Sequence, residues 1–85
     1  MATLYTPDGV QAVVKPRKGT HLMLDEAQGL VGGYVEVVPT SKKGVILLIN
    51  EDGLSQGLAL NRQVVTKWDL YVVGNAIECK RSEFR

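Results

Sequence analysis

The sequence predicts an α+β fold, a small mostly antiparallel sheet of about five strands with one short helix ending at Gly32-Gly33. Three observations carry this reading. Tyr34 to Val38 and Val45 to Ile49 are β-branched and aromatic runs separated by a polar turn. Pro7-Asp8-Gly9 is a turn signal between two shorter β-prone segments. Only Leu24, Ala27 and Val31 repeat at helical spacing over a sustained stretch.

Taken in order, Ala2 to Thr6 alternates weakly before Pro7 presets φ, Asp8 offers a side-chain acceptor and Gly9 accepts a positive φ. Val10 to Lys15 follows and stops at Pro16, so residues 2–15 read as a hairpin at a sheet edge. From Leu22 the chain turns helical for about two turns, with Asp25 and Glu26 early, where they favour the helix dipole. Gly29 costs that helix up to about 1 kcal/mol against Ala, and the paired glycines at 32 and 33 allow a left-handed cap.

Pro39 ends the Tyr34–Val38 strand, and residues 40–44 turn the chain into Val45–Ile49. That second strand is apolar on both faces. It therefore belongs in the middle of the sheet, with the helix on one side and more chain or a partner subunit on the other. A homo-oligomer contact is expected there. Asn50-Glu51-Asp52-Gly53 is a turn by composition, and Asn61 is placed to cap a short helix over residues 62–67. Leu70 to Val73 and Ala76 to Cys79 read as a strand pair, or as one strand kinked at Gly74-Asn75.

At 85 residues, 45% hydrophobic and 22% charged, the chain reads as one globular domain over residues 1–85. Ten Lys and Arg against nine Asp and Glu leave a net charge of +1, far from the basic excess of a nucleic-acid or anionic-membrane binder. Lys15, Arg17 and Lys18, then Lys42 and Lys43, then Lys80, Arg81 and Arg85 form local basic clusters. Their ordinary reading is a solvated face and their sharper one is phosphate contact. One cysteine, no signal peptide and no apolar run of membrane-spanning length point to the cytoplasm.

The residue inventory argues against an enzyme and predicts no metal and no cofactor. His21 has no second histidine, so the usual four-ligand zinc site cannot be assembled within one chain. Cys79 lies in an apolar stretch, where cysteine acts as a small core hydrophobe. Adjacent Glu51 and Asp52 suit a turn better than an acid and base pair. Trp68 with Tyr71 is either a core anchor or a stacking platform, and Asn61 with Arg62 could meet a carboxylate or phosphate.

The string Val31-Gly32-Gly33-Tyr34-Val35-Glu36, then Asn50-Glu51-Asp52-Gly53, Leu58-Ala59-Leu60-Asn61 and Val73-Gly74-Asn75 resembles an uncharacterised family of small phage- and plasmid-borne domains of unknown function. Members of that family share V-G-G-Y-I-E, N-E-[DE]-G, L-P-x-N and V-G-[DN]; here Ala59 stands where proline is frequent. The resemblance implies a mobile-element setting and no particular activity. Among its positions the side chains of Tyr34, Glu36, Asn50, Asn61 and Arg62, together with Trp68, are the candidates for ligand or partner binding. Tyr34 and Glu36 share a strand face by the two-residue period.

The resulting expectation is a non-enzymatic accessory protein that binds and neutralises or redirects a host factor, counter-defence being one such use. An oligomeric sponge for a nucleotide-like immune signal is the alternative, stacking it on Tyr34 or Trp68 and meeting phosphate with Arg62. A small nucleic-acid accessory module ranks third.

Overall fold

The computed structural model describes residues 2–17 and 19–84. Lys18 and Arg85, each counted in a basic cluster above, lie outside the described residues. The chain forms β1 (Ala2–Tyr5), β2 (Gln11–Val14), α1 (Leu24–Val31), β3 (Val35–Pro39), β4 (Val45–Asn50), α2 (Arg62–Trp68) and β5 (Ala76–Lys80), then a 3-10 turn over Arg81–Glu83. The strands make one antiparallel sheet in the order β2-β1-β5-β4-β3.

Both hairpins form where the turn residues place them. Thr6 and Val10 close the first, the Thr6 N–H donating to the Val10 carbonyl at 3.0 Å, with Gly9 at φ 93° between them. The C-terminal strand then inserts between the hairpins, so that β5 pairs with β1 on one side and β4 on the other. Leu47, Leu48 and Ile77 lose all contact with water, a burial that contributes about 2 kcal/mol for each side chain relative to exposure.

A helix covers each face. α1 packs its Ala27 and Val31 over Ile46, Leu48, Ile77 and Cys79. α2 brings Val64 and Trp68 over Tyr5, Leu47 and Ala76. The two-sided apolar character of β4 is thereby met within the chain, its second face being covered by more chain, one of the two expected coverings. α2 spans one residue more than the expected short helix and is capped as expected by Asn61, whose Oδ1 accepts from Val64 N–H at 3.4 Å.

The expected strand at Leu70–Val73 does not form. Asp69 takes a left-handed conformation at φ 55° and turns the chain after α2, and only Val73 pairs, in an isolated bridge with Leu60. The Val72 carbonyl accepts from Asn61 N–H at 2.8 Å while the Val72 side chain seals the α2-side core. This stretch covers the sheet and does not extend it.

Candidate functional site

The motifs converge at the end of the sheet where α1 stops and β4 ends. Gly32 caps α1 in a left-handed conformation at φ 81°. A Cβ on the next residue, Gly33, would lie 3.0 Å from Asn50 Nδ2, so the second glycine answers to a close approach. Asn50 in turn donates from Nδ2 to the Val31 carbonyl at 3.2 Å and to Gln56 Oε1 at 3.0 Å, and accepts at Oδ1 from Asp52 N–H at 2.8 Å. Asn61 Nδ2 donates to the carbonyls of Tyr5 at 3.0 Å and Gly74 at 2.9 Å. Asn75 Nδ2 completes the set by donating to the Leu30 carbonyl at 2.9 Å.

Asn50 and Asn61, expected as ligand groups, have their amide atoms engaged within the fold. Both are buried, and their amide atoms hold segments distant in sequence. A buried backbone carbonyl needs a donor, and these side chains supply one at the ends of strands and helices.

Tyr34 and Tyr71 are the opposite case. They are 68% and 72% exposed, and Leu54 between them in sequence is 72% exposed. Glu36, Glu51, Leu54, Leu70 and Tyr71 line a cleft of about 280 Å³. Tyr34 lines a second of about 320 Å³ with Gln28, Asp52 and Gln56. The turn that starts at Asn50 contributes to both, and its Glu51 N–H donates to the Tyr34 carbonyl at 2.8 Å. Carboxylates line both clefts, and among the described residues no Lys or Arg lines either.

Of the six expected site residues, the structure brings Tyr34 and Glu36 to this end in exposed form. Arg62 is exposed on the first turn of α2 and lines neither cleft, so it parts from Asn61, whose side chain points inward. Trp68 packs into the α2-side core, as a core anchor rather than a stacking platform. Arg62 thus shares neither of these clefts with the Tyr34 ring expected to stack beside it.

Sequence reading missed a polar cluster under α2. Lys67 Nζ donates to Glu78 Oε1 at 2.7 Å and to Tyr5 Oη at 3.0 Å, and Tyr5 Oη donates to the same carboxylate oxygen at 2.8 Å. The ammonium also lies 5.5 Å from the Tyr5 ring and 5.3 Å from the Trp68 ring. Burial pushes the Glu78 carboxyl up more than any other single influence. The hydrogen bonds from Lys67 and Tyr5, the Lys67 charge and the neighbouring Trp68 indole together outweigh it and hold the carboxyl below its ordinary value. Hydrogen bonds to Glu78 and then Tyr5 hold the Lys67 ammonium above its ordinary value. The Trp68 indole N–H is buried and makes no hydrogen bond of good geometry. The signal in the sequence was a glutamate between Ile77 and Cys79, inside the apolar run that begins at Ala76.

Cys79 is buried, and desolvation, followed by the charges of Glu83 and Glu78, pushes its thiol up to about 11. The nucleophilic thiolate is correspondingly scarce at neutral pH. His21 lies beside Thr20, whose Oγ1 is 3.5 Å from its Nδ1. Among the described residues, no three His, Cys, Asp or Glu side chains gather in a way that could hold a metal ion, and no helix is long and apolar enough to cross a membrane.

A family model described as a domain of unknown function, DUF3846, matches residues 2–84. The chain belongs to the DUF3846 family. No curated protein and no solved structure is detectably similar to it. Membership covers both hairpins, both helices and the central strand, so the buried asparagines and the exposed tyrosines alike belong to the DUF3846 domain.

Proposed function

We propose that this DUF3846 domain is a non-enzymatic binding protein that captures a protein partner through the Tyr34–Tyr71 end of its sheet. The observation that carries the reading is the pair of tyrosines, 68% and 72% exposed, beside clefts lined by Glu36, Glu51 and Asp52. A tyrosine gives a large, rigid contact area at little cost in side-chain entropy, and such anchors concentrate binding energy at interfaces. The carboxylates select a surface that carries Lys or Arg around an apolar centre. In the mobile-element setting that the resemblance implies, such a partner is a host factor neutralised or redirected by being bound, with counter-defence among the uses.

The experiment is affinity capture from bacterial lysate on immobilised wild type, the Tyr34→Ala/Tyr71→Ala double variant and the Arg62→Ala control, read by mass spectrometry. A protein retained by wild type and control, and reduced about tenfold or more by the double variant, supports the reading. Equal retention by the double variant, or no protein retained by wild type, contradicts it.

A further inference from the structure

The opposite end of β4 carries a cleft that partner capture does not use. Val45 pairs with Lys80, and Arg81 N–H donates to the Gly44 carbonyl at 2.8 Å, so the β3–β4 turn is held against the end of β5. Two basic pairs far apart in sequence thereby meet. Lys42, Lys43, Lys80 and Arg81 line an open cleft of about 550 Å³ together with Ser82. The turn is fixed from within: Thr40 Oγ1 donates to the Val45 carbonyl at 2.7 Å and accepts from Lys42 N–H at 3.2 Å, and Val45 N–H donates to the Lys42 carbonyl at 3.1 Å.

Among the described residues, ion pairs join Arg17 to Asp25 and Glu26 and Lys67 to Glu78, and none engages these four cations. Glu83, which accepts from Lys80 N–H at 2.8 Å, is the acid of this segment and does not line the cleft. Four like charges around one concavity repel one another until a multivalent anion enters.

We propose that this cleft binds the phosphate chain of a small polyphosphate ligand and does not read the group attached to it. The cations supply the charge, and Arg81 supplies a fork that can hold two phosphate oxygens at once. Among the described residues no aromatic ring lines the cleft, so no base is stacked there. The volume falls in the range of small-ligand sites, about 300–1,000 Å³. A long polyanion is disfavoured because the far end of the sheet presents Glu36, Glu51 and Asp52, and the whole chain carries only +1.

Titration calorimetry with sodium tripolyphosphate as the probe tests this on the full chain. The expected result is saturable binding, weakened as salt is raised, with adenosine and guanosine triphosphates bound alike and orthophosphate bound far more weakly. Lys43→Ala/Arg81→Ala should lower the affinity about tenfold or more. On the wild-type protein, amide NMR shifts should move at Gly44, Val45, Arg81 and Ser82, which keeps the test decisive even if the variant folds poorly. Absence of saturable binding, discrimination between the two nucleotides, shifts centred elsewhere, or a DNA duplex bound more tightly than tripolyphosphate would overturn the proposal.

Discussion

At the end of the sheet where the sequence motifs meet, Asn50 and Asn61 are closed off from water with their amides engaged, while Tyr34 and Tyr71 project into it. Tyr34, Asn50 and Asn61 looked alike as candidates in the sequence, being polar or aromatic residues in shared motifs, whereas Tyr71 stood out only beside Trp68. The structure divides them by what their functional atoms already touch. A side chain whose donors and acceptor are all used within the fold has nothing left for a ligand. An exposed ring with no role in the core is free to bind. The two groups predict opposite behaviour when each is removed.

The largest effect should follow Asn61→Ala. It removes a helix cap, about 1 kcal/mol, and leaves the Tyr5 and Gly74 carbonyls without their buried donor, about 1–3 kcal/mol each. A loss of about 3 kcal/mol or more in urea unfolding is expected, and a loss below about 1 kcal/mol would place Asn61 with the tyrosines. Asn50→Ala should cost somewhat less, about 2 kcal/mol, because Gln56 and Asp52 near the turn can turn to water.

Glu78→Gln sharpens the comparison from the other face of the sheet. Lys67 is nearly half exposed, so solvent screening keeps the expected cost to about 1 kcal/mol or less. The pH dependence has a definite sign. Glu78 is held below its ordinary value, so its contribution is present above the unfolded carboxylate range and is lost as pH falls through the lower folded value. Lys67 is held above its ordinary value, so its contribution is present below the unfolded lysine range and is lost as pH rises through the higher folded value. Stability supplied by this cluster should be flat between about pH 5 and pH 10, and Glu78→Gln should blunt the acid side of that plateau. An unchanged acid midpoint in the variant would remove the cluster from the account.

The smallest effects on folding belong to the exposed group. Tyr34→Ala, Tyr71→Ala and Arg62→Ala should each change stability by less than about 0.5 kcal/mol. Native Cys79 should also resist a thiol reagent at neutral pH until the protein is unfolded, since its thiol is buried and pushed up to about 11. Rapid labelling of the folded protein would contradict the packing around β5.

The hairpins, α1 and the Asn61 cap were legible because each depends on neighbours in sequence: a turn residue, a helical repeat, a capping side chain. The central place of β5 was not, because pairing with both β1 and β4 is set by contacts across the whole chain. For the same reason the meeting of Lys42 and Lys43 with Lys80 and Arg81 was invisible as a site, although each pair stood out alone. Tyr34 and Glu36 were readable as candidates from their shared strand face. Whether an asparagine caps, latches or binds depends on where distant carbonyls fall, as at Tyr5 and Gly74 for Asn61.

The claim that the exposed end does the binding is tested most directly by an NMR titration of the isotopically labelled chain with the protein that wild type retains from lysate. The amides of Tyr34, Glu36, Glu51, Leu54 and Tyr71 should shift together and saturate together, while those of Arg62, Gln63 and Gly44 stay in place. Saturating shifts centred on the start of α2 or on the free edge of β2, with the Tyr34–Tyr71 end unmoved, would contradict the account.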